Sequence, residues 1–383
     1  MENKYAIFLD SIKCFLKDEK IDSLKNADGT DLKILYRISF SYDLMQIAYY
    51  ALKKNNAVND GTYYPLIFEG YIQAISRAEN LSYDLTRIRD ALNGGKVPFI
   101  ALKGAVMREL YKDNFYRTCS DVDILIKKED VEKTDSILTK NLSFKFKGGS
   151  GHDRLYRSPS GTNLELHFTL LEEGMAGNSF EVLNSVWENS FKTDTSEFIM
   201  SDGFFYLFHV AHMAKHFENG TLGIRPFIDL YILNKKGYRV QAESLIEKSG
   251  LKKFTDCVEK LSRVWFDGDV HDELTQKTEG FILDGGVFGN PETKMAVNTR
   301  RAGGGRKYIL SRIFLPYRKL KSYYPKLEKH KWLMPYYEVK RWFRLLFKGK
   351  RRVAVRDLKL AGSVNVEKGN EHYELCKSLG IGR

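Results

Sequence analysis

Apolar residues recur at every third or fourth position over roughly the first 95 residues, the period of helices with one buried face. The stretch YIQAISRAENLSYDLTRIRDALNGGK shows this most clearly, and Gly94-Gly95 supplies a stop. The pattern then changes. VPFIALKG predicts a short strand, AVMRELY restarts a helix, and DVDILIK predicts a second strand. KEDVEKTDSILTKNL returns to helical spacing, while HDRLYRS and NLELHFTL alternate on either side of PSGT and predict a hairpin. FFYLFHVAHMAKHF and RPFIDLYILNKK are helical again, and helical segments continue to about Phe266. Residues 284–306 are Gly-rich and predict a mobile loop. Two more helices are expected around Pro335–Phe347 and Glu367–Leu379. The predicted class is α+β, a small mixed-sheet core embedded in N- and C-terminal helical regions. The expected divisions are 1–95, helical; 96–200, the α/β core; 201–283, helical and packed on that core; and 284–383, a basic C-terminal region.

Two acids stand one residue apart in the apolar run DVDILI. Alternate side chains of a strand share a face, so Asp121 and Asp123 lie side by side while Val122 and Ile124 point into the core. A bare carboxylate is costly to desolvate, so solvent, a basic partner or a metal ion must offset that cost. Two neighbouring carboxylates also repel. A divalent cation removes the repulsion, and Mg²⁺ favours one or two carboxylates together with substrate phosphates. Glu165, between Leu164 and Leu166, offers a third acid on another strand. Three acids on neighbouring strands suit metal-assisted phosphoryl or nucleotidyl transfer. Upstream, a strand ends at Lys103-Gly104 and a helix begins. Glycine lets the backbone approach an anion, the amides of the first helical turn face it, and Lys103 adds a charge. Arg117 lies within reach of the same anion.

Further along, HVAHMAKH sets His212 and His216 four residues apart, a spacing that can grip zinc. His209 is two turns from His216, too far for one ion. One reading of these histidines is structural; the other is that His212, Lys215 and His216 contact a triphosphate or an acceptor. Arg225 and Asp229 are also four apart, which suits an intrahelical ion pair or a role in the cleft. His167 shares the face of Glu165, as a base, a positioner of the acceptor, or a partner of Glu165.

The net charge of +12 is unevenly spread. Residues 300–352 hold 18 Lys and Arg against two acids, Glu328 and Glu338. Such a segment favours an anionic partner or a solvated face. Arg300, Arg301, Arg306, Arg312, Arg318 and Lys319 are expected near the cleft mouth or on one continuous face. YEVKRWFRLLFKGKRR is amphipathic and basic, fit to lie on a membrane surface, to cover the cleft, or to pack Trp342 and Leu345 inward. No apolar run approaches the ~20 residues of a membrane span. Cys14, Cys119, Cys257 and Cys376 lie far apart without a CxxC, which argues against a zinc ribbon or disulfide framework and suits a reducing cytoplasm.

The motif order FIALKGAVMRELY, SDVDILI, LELHF, HMAKHF and LGIRPFIDLYIL resembles the nucleotidyltransferase superfamily typified by DNA polymerase β. More narrowly, it is similar to a bacterial family of uncharacterised nucleotidyltransferases, over about residues 70–240. The resemblance implies that Gly104 is the turn glycine, that Asp121 and Asp123 are the paired metal ligands, and that Glu165 is the third acid. Ala105 stands where the superfamily usually has Gly or Ser. It further implies two Mg²⁺ ions (or Mn²⁺), a nucleoside triphosphate, and transfer of a nucleoside monophosphate to a hydroxyl of a small molecule, sugar, protein or RNA. The other reading is a non-catalytic or regulatory module of the same fold, binding an anionic partner through its basic C-terminal region.

Overall fold

The computed structural model describes residues 3–57, 61–150, 152–171, 176–283, 286, 289–317, 320–321, 324–347 and 366–382. Five helices come first: α1 (Ala6–Lys17), α2 (Asp22–Lys25), α3 (Gly29–Tyr42), α4 (Met45–Asn55) and α5 (Tyr63–Gly94). α3 opens with a capping box in which Asp28 and Asp31 each accept the other's backbone N–H. α5 carries Leu81, Leu85, Ile88 and Leu92 as one buried stripe, which lays it along the sheet that follows.

That sheet is built from β1 (Phe99–Ala101), β2 (Asp121–Ile126), β3 (Lys145–Gly149), β4 (Asp153–Arg157), β5 (Asn163–His167), β6 (Ser190–Lys192) and β7 (Glu197–Met200). Three short helices interrupt the strands: α6 (Gly104–Met107), α7 (Val131–Ser136) and α8 (Ser179–Leu183). The strand order is β3-β4-β5-β2-β1-β7-β6. β2 runs parallel to β5 and β1 parallel to β7, while the other neighbours are antiparallel, so the sheet is mixed.

The two faces of the sheet do different work. Val122, Ile124, Ile126, Leu164 and Leu166 pack with the α5 stripe and with Ile137 and Leu138 beyond α7. The opposite face carries Ile100, Leu102 and Leu125 into a second, larger core shared with the helices. Those helices continue with α9 (Asp202–Glu218), α10 (Arg225–Lys235), α11 (Tyr238–Ser249), α12 (Lys252–Phe266) and α13 (Glu273–Ile282). α9 is apolar nearly all round, with Phe204, Tyr206, Leu207 and Phe208 fully buried, as suits a helix through the middle of a core. The architecture is α+β, with helices flanking a central mixed sheet.

Three strands depart from the sequence reading. β3 and β6 are short, polar edge strands, where alternation carries little signal, and β7, between β1 and β6, has four residues, too few to show a period. The Gly-rich stretch 284–306 is also corrected. Residues 284, 285, 287 and 288 lie outside the described residues, but Pro291–Arg301 is a helix, α14, and Gly305–Ile313 another, α15. Asn290 caps α14 by accepting from the N–H groups of Glu292 and Thr293, and Pro291 occupies the first turn. Gly289 and Gly220 permit this packing, since an added Cβ on Gly289 would stand 2.5 Å from the Thr221 Cα. Two last helices, Met334–Phe347 and Val366–Ser378, follow. Among the described residues, no helix is long and apolar enough to cross a membrane.

Candidate functional site

β2 presents Asp121 and Asp123 on the face opposite Val122 and Ile124, as strand parity requires. In the parallel register with β5, Asp123 stands directly across from Glu165, and Leu125 across from His167. Asp123 is buried, Asp121 and Glu165 half-buried. The His167 Nε2 lies 2.6 Å from Asp123 Oδ1 and 3.5 Å from Glu165 Oε2. The Lys103 Nζ rests 2.9 Å from the same Asp123 oxygen. Ligand atoms of Asp123, Glu165 and His167 all lie within 4.8 Å of one another, a spacing that can hold a metal ion. Asp121 adjoins this trio on the same strand without belonging to it.

The charges follow from this crowding. Burial opposes the charge of Asp123, but Lys103 and His167 outweigh it and hold the carboxyl below the usual carboxylate range. Burial, reinforced by the charge of Asp123, pushes Asp121 and Glu165 upward. Burial likewise works against the Lys103 ammonium, yet Asp123, Glu165 and Asp121 together keep its pKa raised. The donor set thus comprises two carboxylates and an imidazole on rigid strands, with a third carboxylate beside them and a side-chain cation already drawn in. Such a set fits a divalent ion.

Lys103 reaches Asp123 from the turn that ends β1. Its backbone has φ 44° and ψ −117°, a left-handed conformation that costs a non-glycine residue of order 1–3 kcal/mol. The sequence reading gave Gly104 a close backbone approach to an anion; the residue with the left-handed backbone is its neighbour Lys103. Gly104 leaves room for Cys119, since a Cβ there would stand 3.0 Å from the Cys119 Cβ and 3.2 Å from its Sγ. α6 is a single turn, extended by a 3₁₀ turn over Arg108–Leu110.

α9 supplies the facing wall. On this otherwise buried helix His209, His212, Lys215 and His216 are half-buried and fall on one stripe. The His212 and His216 Nε2 atoms are 3.2 Å apart, and His216 Nδ1 meets Thr221 Oγ1 at 2.9 Å. Burial holds both imidazoles neutral, His216 with a pKa of about 4, and the charges of Lys103 and Lys215 act in the same direction on each. Lys294, on α14, adds to this field at His216. His209 points elsewhere, toward the Pro226 carbonyl at 2.9 Å.

A second cluster adjoins the first. The Arg117 Nε donates to both oxygens of Asp229, at 2.8 and 3.0 Å, and its terminal nitrogen donates to Oδ2 at 2.8 Å. The Tyr111 hydroxyl donates to Asp229 Oδ1 at 2.6 Å. Arg117 is also close enough to favour the charged form of Asp121. The intrahelical pair suggested by the spacing of Arg225 and Asp229 does not form. Arg225 instead donates to the Asp43 carboxylate at 3.1 Å and to the Tyr42 carbonyl at 3.1 Å.

The structure therefore gathers Lys103, Asp121, Asp123, Glu165 and His167 on one sheet face, with His212, Lys215 and His216 nearby. Arg117 and Asp229 sit together beside Asp121, and Arg225, paired with Asp43, is close enough to act electrostatically on the same cluster. Tyr111, Cys119 and Lys294 were not singled out from the sequence. Tyr111 and Lys294 carry no spacing signal, because their partners come from other helices. In the basic segment, Arg300 stacks on the Tyr373 ring and donates to Asn370, while Arg301 donates to Asn219 and to the Glu218 carbonyl. Arg318 and Lys319 lie outside the described residues.

A family described as uncharacterised nucleotidyltransferase matches residues 28–267, well over half of the chain, and the protein belongs to it. No curated protein and no solved structure matches the chain.

Proposed function

We propose that this protein moves a nucleoside monophosphate from a nucleoside triphosphate to a hydroxyl-bearing acceptor, the acceptor oxygen bonding to the α-phosphorus as pyrophosphate leaves, with divalent metal held by Asp121, Asp123 and Glu165. The main support is the register that sets Glu165 opposite Asp123, on a face shared with Lys103 and His167, in a chain of a nucleotidyltransferase family. The order of strand, Lys-Gly turn, helix and acid-bearing strands is that of polymerase β-like enzymes, and we take residues 96–200 as the corresponding core. Mg²⁺ suits the carboxylates, with two ions expected, and Mn²⁺ would also accept the His167 imidazole.

When bound, such an ion acts as a Lewis acid on a phosphoryl oxygen. The rest falls to the chain. Glu165, half-buried and directly across from Asp123, is the carboxylate placed to take a proton from the acceptor hydroxyl. His167 hydrogen-bonds Asp123 and fixes its orientation. Lys103 and Lys215 offer donors to phosphate oxygens, with the Gly104 backbone beside them, and the His212–His216 pair stands on the same wall as a further contact for the triphosphate or the acceptor. Arg117, fixed by Asp229, contributes charge beside Asp121 from a set position. Arg225, on Asp43, braces the helix that carries Asp229.

The test follows label from each α-³²P nucleoside triphosphate, with Mg²⁺ or Mn²⁺, into the protein itself, small hydroxyl compounds and total RNA. Transfer by the wild type should fall at least about a hundredfold in Asp123→Asn, and about 10- to 100-fold in His167→Ala, the range for an outer partner of a ligand. Label transfer that is unchanged in Asp123→Asn and Asp121→Asn would overturn the reading in favour of a partner-binding module.

A further inference from the structure

The C-terminal region shows its apolar side chains to solvent. Seven of the eighteen exposed large apolar residues among the described ones fall between Leu310 and Phe343, several times that segment's share of the length. Trp332 is 75% exposed and Phe343 58%. On the helix Met334–Phe347, the exposed positions Tyr336, Val339, Lys340, Phe343 and Arg344 recur at three- and four-residue steps and so form one face. The other face packs inward. Tyr337 and Glu338 are buried, Glu338 accepts from the Leu315 N–H at 2.6 Å and pairs with Arg341 at 2.7 Å, and the Trp342 indole donates to the Ile313 carbonyl at 2.8 Å. The Phe314 and Trp342 rings meet edge-on. These bonds tie α15 to the later helix, so Leu310, Ile313 and Phe314 stand exposed on the same tied unit.

The exposed charge carried by this segment is mostly positive. Lys307, Arg312, Lys331, Lys340 and Arg344 are exposed. The segment's acids are Glu328, paired with Lys321 at 2.6 Å, and the buried Glu338.

We propose that this face seats the protein on an anionic lipid surface, its aromatic and aliphatic side chains entering the headgroup region while its lysines and arginines meet lipid phosphates. Mixed apolar and basic exposure distinguishes this occupant from others. Leu310, Ile313 and Val339 gain nothing from base stacking, which is what a nucleic acid would offer. A second copy of the chain would bring two positive faces together, which repel. Long basic side chains with apolar stems are suited to the boundary between water and acyl chains. The inference stands independently of the nucleotidyl-transfer reading, since none of these residues belongs to the strand-borne site.

Cosedimentation of the full chain with vesicles tests it. Binding is expected to vesicles of phosphatidylcholine mixed with phosphatidylserine or phosphatidylglycerol, and not to phosphatidylcholine alone. Tryptophan fluorescence should shift to shorter wavelength on binding, and the shift should shrink in Trp332→Phe. The triple variant Lys307→Glu, Lys340→Glu, Arg344→Glu should lower the partition coefficient roughly tenfold or more at low salt. Trp332→Ser with Phe343→Ser should weaken binding and leave the remainder more salt-sensitive. Lys25→Glu, Lys147→Glu, Lys192→Glu, an equal charge change on exposed residues elsewhere, should leave it intact. Equal binding to neutral vesicles, no vesicle binding, equal loss in the Lys25, Lys147 and Lys192 variant, or capture of an RNA homopolymer in place of vesicles would each overturn the proposal.

Discussion

Asp229 accepts three hydrogen bonds from the Arg117 guanidinium and one from the Tyr111 hydroxyl, all of them away from solvent. Burial opposes its charge, but Arg117 outweighs that and holds its pKa below the ordinary value. Replacing Asp229 by Asn should therefore cost about 3–5 kcal/mol in urea unfolding, because Arg117 stays buried without its counter-charge. The double change Asp229→Leu, Arg117→Met should recover much of that loss. The sign with pH follows from the depressed pKa. The stability that Asp229 contributes is fully present above the pKa of about 3.9 it would have unfolded, and is lost as pH falls through the folded value. The sequence could not show this pairing. Its four-residue spacing pointed to Arg225, but Arg225 pairs with Asp43, which comes from a loop far upstream. By contrast the face shared by Asp121 and Asp123 was legible, because strand parity is a local rule.

Among elements, the turn from β1 into α6 packs closely against Cys119 beside the carboxylates. Gly104→Ala should cost about 1–3 kcal/mol, the usual penalty for an extra methyl in a filled space. Cys119→Ala in the same chain should restore only part of it, since the clash with the Cys119 Cβ at 3.0 Å persists after the sulfur at 3.2 Å is gone. Comparing the two chains by thermal melting checks this. Full recovery in the double variant would mean that the sulfur, not the Cβ, sets the limit. The Lys-Gly turn was visible in the sequence as a strand end before a helix. Which residue would take the left-handed backbone was not, because the partner of Lys103, Asp123, is brought to it only by the pairing of β1 with β2. α14 was missed for a different reason. The glycines of 284–306 are a loop signal, while Asn290-Pro291 is the helix start that governs the fold there.

Over the whole molecule, burial lowers the pKa of four histidines, the half-buried His209, His212 and His216 and the buried His372. Burial is the first cause in each, and His216 and His372 fall to about 4. Their folded pKa values lie below the unfolded value of about 6.5, so the unfolded chain takes up protons first. Stability should thus decline as pH drops from about 6.5 toward 4, visible as a falling Tm across buffers. His372→Phe, set against Phe217 and Phe281, should flatten that decline by removing one of the four. A Tm that does not fall over this range would show that these rings are not buried as described.

The sheet also has an order in time. β1 lies near its centre, between β2 and β7. A ribosome delivers β1 at Phe99–Ala101 and β2 soon after, so one edge of β1 is covered early. The other edge pairs with Glu197 and Phe198, which come only after β3, β4, β5 and β6 have been made. During that stretch of translation an apolar, fully buried strand has open N–H and C=O groups on one side, the kind of edge that recruits stray strands from other chains. The acid-bearing half of the sheet is thus assembled before the strand that seals it, and the interval between Ile126 and Glu197 is when the nascent protein is most exposed to mispairing.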